Sequence, residues 1–122
     1  MENRHIVLDT ETTGLEVEKG HRIIEIGGVV MNGRKKTSET FHVYINPQRE
    51  IDKEAQAVHG ISNEDLQDKP IFSEIAEDLL EFIDGSTLVI HNADFDVGFL
   101  DAEFRIASST YPSISDICEI KD

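Results

Sequence analysis

The sequence predicts an α/β domain built on a mixed sheet, and three observations carry that prediction. Apolar runs of strand type, Ile6-Val7-Leu8 and Thr87 to His91, stand far apart in the chain. Asn32-Gly33 separates two longer strand-like segments and is the strongest short hairpin signal, since both residues tolerate positive φ. The stretch between the third and fourth strands is long and helical in pattern, which suits a crossover to a parallel strand.

Each element follows from a local pattern. Arg4 to Asp9 reads as a short buried strand and Arg22 to Met31 as a second. Lys35 to Ile45 returns from the hairpin with Phe41, Val43 and Ile45 on one face, and Asn46-Pro47 ends it. Ile51 to Gly60 predicts a short helix closed by its glycine. Ser62 with Asp65 three residues on resembles a helix start, and Pro70 breaks the chain again. Ser73 is the expected cap of a helix running to about Asp84, with Ile75, Leu79, Phe82 and Ile83 inward and Gly85 as the stop. Thr87 to His91 is a buried-type strand, Asp94 to Ala107 a helix, and Asp116 to Ile120 a last short strand. The first three strands then form an antiparallel meander. The fourth lies parallel to the first on its free edge, so the ends of these two strands sit side by side, where α/β sheets place ligands.

Composition bounds the function. A chain of 122 residues is one domain. Eleven Lys+Arg against 25 Asp+Glu give a net charge of −14, which excludes a grip on nucleic acid through a basic surface. It leaves open a nucleic-acid enzyme whose positive charge comes from bound metal. The single Cys118 allows no internal disulfide, so a reducing cytoplasm is expected, and no apolar run approaches a membrane span.

Asp9 and Glu11 stand two apart at the end of the first strand, on one face by strand periodicity. Like charges this close call for a cation, and oxygen ligands favour Mg²⁺ or Mn²⁺. Acids two apart recur at Glu16/Glu18, Asp52/Glu54 and Asp101/Glu103, so the pair alone also fits a solvated surface; the apolar run leading into it sets it apart. Asp96 falls in the first turn of the helix after the fourth strand, beside apolar Phe99 and Leu100. The topology brings it near Asp9 and Glu11. Three converging acids fit a two-metal site that clamps the oxygens of a phosphoryl displacement.

Four segments in order, Asp9-Thr-Glu11-Thr-Thr-Gly14-Leu15, Arg22-Ile-Ile-Glu-Ile-Gly, Val58-His59-Gly60-Ile61 and His91-Asn92-Ala-Asp-Phe-Asp96-Val-Gly-Phe99, resemble the DEDD exonucleases of the DnaQ-like branch. The resemblance covers essentially the whole chain. It implies an RNase H-like fold and a 3′→5′ exonuclease that proofreads DNA with two divalent metal ions, Mg²⁺ or Mn²⁺. It implies that Asp9, Glu11 and Asp96 are catalytic metal ligands. Thr12, Thr13 and Leu15 would line the site of the terminal nucleotide, with Leu15 as a wedge, and Glu54 and His59 would contact the nucleotide. The implied partners are a DNA 3′ end and the catalytic and accessory subunits of DNA polymerase III, away from any membrane.

The sequence departs from the family at its third motif, a His followed five residues later by Asp. His5, His21, His42, His59 and His91 all lie too early, and Asp122 resembles the start of a further helix. The expectation is a domain lacking its C-terminal helices and only feebly active alone. Two apolar stripes on the Asp94–Ala107 helix, Phe95/Gly98/Phe99/Ala102/Ile106 and Val97/Leu100/Phe104, point the same way, since one neighbour needs one stripe. An exonuclease on RNA ends and a non-catalytic scaffold for polymerase subunits are the competing functions.

Overall fold

β1 (His5–Thr12) alternates along its whole length: Ile6, Leu8, Thr10 and Thr12 are buried, while Val7 and Asp9 are open and Glu11 half-buried. That period of two fixes which face of the sheet receives the helices. The structure, a computed structural model, describes residues 4–122. β1 runs three residues past the predicted Asp9, so Asp9 and Glu11 lie within the strand rather than beyond it. β2 (Ile23–Asn32) and β3 (Lys35–Tyr44) complete the antiparallel meander. The hairpin loop is Gly33-Arg34, one residue later than expected; only Gly33 takes positive φ (63°), because Asn32 still pairs with Lys35.

The crossover carries α1 (Lys53–His59) and α2 (Phe72–Ile83), with Gly60 closing α1 at φ 74°. Ser62 and Asp65 exchange side-chain-to-amide hydrogen bonds of 3.1 and 3.2 Å around a short 3₁₀ turn, the reciprocal cap their spacing suggested. α2 starts before Ser73, which therefore does not cap it. The Glu74 carboxylate instead accepts the Ile71 amide, so Phe72 enters the core inside the first turn.

β4 (Thr87–Val89) pairs parallel with β1, and β5 (Glu119–Lys121) pairs parallel with β4, giving the order β3-β2-β1-β4-β5. Between them run α3 (Ala93–Ala107) and a one-turn α4 (Ile114–Ile117). The predicted strand from Asp116 is therefore half helix, because Ile114 has to turn inward and bury. The mixed sheet with flanking helices is the predicted RNase H-like architecture.

One face of the sheet, with Ile6, Leu8, Ile26, Val30 and Leu88, packs against Phe72, Ile75, Leu79 and Ile83 of α2 and Phe99, Leu100 and Phe104 of α3. Phe72 and Phe104 meet edge to face at 5.1 Å. Gly28 allows this approach: a Cβ there would stand 2.9 Å from the Phe82 ring. A smaller cluster of Ile24, Ile51 and Leu66 seats α1 and its flanking loops. α3 buries a single stripe, Ala93, Asp96, Phe99, Leu100, Glu103 and Phe104. This buried stripe borrows from both predicted ones and includes two acids, while Phe95, Gly98 and Ala102 are half-buried and Ile106 is 62% exposed. Among the described residues no helix is long and apolar enough to cross a membrane.

Candidate active site

β4 ends at Val89, three residues into its pairing with β1, so the far half of β1 projects beyond its neighbour. The first turn of α3 fills that step. Asp96 arrives there beside Thr10, whose hydroxyl donates to Asp96 Oδ1 at 2.9 Å. Asp96 is 4% exposed. Burial, foremost, and the negative charges of Asp9 and Glu11 push its carboxyl up to about 6, against the lowering effect of the Thr10 hydrogen bond and His91. Glu11 is raised too, by burial first and by Asp9 next, while His59 opposes the shift. Asp9 is exposed, and its Oδ1 accepts the Thr10 amide at 3.0 Å. The two neighbouring segments therefore bring all three acids within electrostatic reach of one another.

The donor chemistry, carboxylate oxygen throughout, suits a hard divalent cation. As the side chains stand, however, no three acids, histidines or cysteines among the described residues converge closely enough to enclose one. One oxygen of Asp96 is taken up by the Thr10 hydroxyl.

Beside the acids opens a groove of about 540 Å³, within the range of small-ligand sites. Thr10, Glu11, Thr12, Gly14 and Leu15 form one wall; Asp52, Glu54, Ala55, Val58 and His59 form the other, with His21 and Phe95 also lining it. Leu15 and Val58 are 81% and 84% exposed, one on each wall, where an apolar side chain has no fold-stabilising role. His59 Nε2 lies 3.2 Å from the Thr12 carbonyl, and its Nδ1 accepts the Ile61 amide at 3.0 Å. Both ring nitrogens are thus engaged.

Of the predicted nucleotide-facing residues, Thr12, Leu15, Glu54 and His59 line the groove with Glu11. Thr13 does not. It is fully buried, its hydroxyl is engaged by His21 Nδ1 at 2.9 Å and the Arg22 amide at 3.0 Å, and it braces the turn instead. Thr12 donates its hydroxyl to the Gly14 carbonyl at 2.6 Å. Phe95, Val58, His21 and Asp52 were not singled out as groove residues from sequence. Phe95 and Val58 carried a signal, as the neighbours of Asp96 and His59 in the quoted motifs. The Asp122 carboxylate accepts the Asn92 and Ala93 amides at 3.2 and 3.0 Å and caps α3.

Comparison with known proteins shows the family and the fold. The family RNase_T, described as "Exonuclease", matches residues 6–122. The DNA polymerase III epsilon subunit of Escherichia coli is 48% identical over 98% of this chain and 51% of its own length. That of Rickettsia typhi is 54% identical over 88% of this chain and 47% of its own. The chain spans about half the length of the curated relatives it matches. Among solved structures, exonuclease X in complex with 5′ overhanging duplex DNA is 31% identical with a TM-score of 0.64, over 79% of this chain and 53% of that one. E. coli exonuclease I in complex with a dT13 oligonucleotide is 15% identical with a TM-score of 0.75, over 85% of this chain and 24% of that one, and shows the shared fold.

Proposed function

The chain belongs to the RNase_T exonuclease family, and from that premise we propose that its 122 residues act as one 3′→5′ exonuclease domain that removes mispaired nucleotides from DNA. The observation that carries this is that Asp9 and Glu11 of β1 lie within electrostatic reach of buried Asp96 of α3, with Glu11 lining a nucleotide-sized groove. These three would hold two divalent metal ions, Mg²⁺ or Mn²⁺. When bound, such ions lower the pKa of a coordinated water and steady the attacking and leaving oxygens of phosphodiester cleavage.

The chain's own residues do the rest. Glu11, Thr12 and Leu15 on one wall and Glu54 and His59 on the other receive the terminal nucleotide. Leu15 inserts against its base, which favours an unpaired 3′ end. Water adds to the terminal phosphorus, the 3′ oxygen of the preceding sugar leaves and takes a proton, and a 5′-mononucleotide is released. Neither groove histidine takes the water's proton, since His21 and His59 have their ring nitrogens engaged.

The working context is a cytoplasmic replicative polymerase, with the catalytic and accessory subunits of DNA polymerase III as partners. High identity to epsilon subunits supports it. A gel assay on a 3′-mismatched primer in Mn²⁺ tests the reading. Slow stepwise shortening that disappears in Asp9→Ala is expected, with a matched RNA primer cut less. Shortening that survives Asp9→Ala, or none in the intact chain at high enzyme, defeats it.

A further inference from the structure

The two walls of the groove are joined beneath its floor by a side chain that neither the family motifs nor the carboxylate chemistry requires. His21 is 9% exposed and lies flat under Gly14: a Cβ on Gly14 would fall 2.3–2.5 Å from three atoms of the imidazole. Its Nδ1 is 2.9 Å from the Thr13 hydroxyl, which also accepts the Arg22 amide at 3.0 Å. A hydroxyl proton donated to Nδ1 satisfies both groups and leaves Nε2–H to face Asp52 Oδ2 at 3.3 Å. Asp52 is the residue that opens α1, and its amide donates to the Thr13 carbonyl at 2.8 Å. The far end of α1 returns through His59 to the Thr12 carbonyl. The turn that carries Leu15 and the helix that carries Glu54 and Val58 are thus tied at both ends, and His21 is the tie whose side chain supports the turn from below.

We propose that His21 is a positioning residue that sets the width of the nucleotide groove by holding the Gly14-Leu15 turn against the opening of α1. Thr13 is fully buried, so the Thr13–His21–Asp52 line is a brace and not a nucleophilic triad. The proposal rests on the groove being the nucleotide site. It adds that spacing across the groove, separate from the acids, governs how tightly a 3′ end is held.

The test uses a 5′-fluorescein-labelled oligo-dT in Mn²⁺, followed by anisotropy, beside Mn²⁺ titration calorimetry. His21→Leu keeps bulk and removes both polar contacts. It should weaken oligonucleotide binding about tenfold, as expected for losing one to two hydrogen bonds' worth of order. Mn²⁺ affinity should stay within about twofold, because Asp9, Glu11 and Asp96 do not touch His21. His21→Gln can still accept from Thr13 and donate to Asp52, and should recover most of the binding. Gly14→Ala displaces the ring from the other side and should copy His21→Leu. Amide hydrogen exchange at Gly14 and Leu15 should quicken in His21→Leu with no ligand present, and this decides the proposal even if the leucine variant is destabilised. Unchanged exchange, equal loss of Mn²⁺ and oligonucleotide affinity, or a glutamine variant no better than leucine would overturn it. If wild type shows the tie in hydrogen exchange yet binds no oligonucleotide, the nucleotide reading fails and the brace stands.

Discussion

Asp96 pays for its position. A carboxylate 4% exposed, facing two other acids, is raised to about 6 from the usual 3.8. The sign follows directly: a raised carboxyl favours folding while protonated, fully below pH about 4, and that contribution is lost as pH climbs through 6. At pH 7 the metal-free protein bears the whole cost, on the order of 2 kcal/mol. Asp96→Asn keeps an acceptor for Thr10 and removes the charge. Its metal-free Tm should exceed wild type by about 5–10 °C at pH 7 and match it at pH 4, measured by scanning calorimetry in EDTA. Equal Tm values at both pH values would contradict it. At this scale Asp9, Glu11 and Asp96 were legible because strand periodicity and first-turn placement are local properties. Thr13 was not, since its neighbour His21 comes eight residues later and only the folded turn shows that the hydroxyl faces inward.

Elements are held by side chains from outside them. The N-terminus of α3 is capped by Asp122 from the end of β5, two strands' worth of topology away from any sequence signal for a helix start. Asp122→Ala should cost about 1 kcal/mol in urea unfolding, the usual worth of a lost cap. The other end of α3 is fixed by Glu103, 2% exposed, which takes a forked contact from Arg22 (2.7–3.1 Å) and the Ile23 amide at 2.8 Å. Glu103→Ala leaves Arg22 without its partner and should destabilise by about 3–5 kcal/mol, whereas Arg22→Met with Glu103→Leu should recover much of that loss. A double variant as unstable as the single would count against the buried pair as the cause. Glu103 and Asp96 also interrupt the apolar pattern of α3, so the buried stripe winds between the two apolar flanks that the sequence marks. The order of the first four strands, by contrast, was legible from hairpin and crossover rules, because connection length leaves few alternatives, whereas the place of β5 beside β4 was not.

For the whole molecule the governing quantity is a net charge of −14. The groove repeats it in miniature: Glu11, Glu16, Asp52 and Glu54 line it, with Lys19 as the one Lys or Arg among the lining residues, already paired to Glu16 at 3.0 Å. A phosphodiester entering this groove meets net repulsion from these four carboxylates. Each divalent ion held by Asp9, Glu11 and Asp96 adds two positive charges at the point where the scissile phosphate would sit. Binding of DNA should therefore be switched by divalent metal and not merely helped by it. In EDTA with 50 mM salt the labelled oligo-dT should show no binding up to the highest protein tested. In Mn²⁺ at matched ionic strength it should bind, and Asp9→Ala should return it to the EDTA behaviour. Screening distinguishes the local effect from a general one: at 0.15 M salt the Debye length is about 8 Å, so distant surface acids are muted while the site ions are not. Raising NaCl in EDTA should thus fail to restore binding. If monovalent salt alone restores it, repulsion from the whole surface rather than an unfilled metal site controls access, and the three acids lose their assigned part.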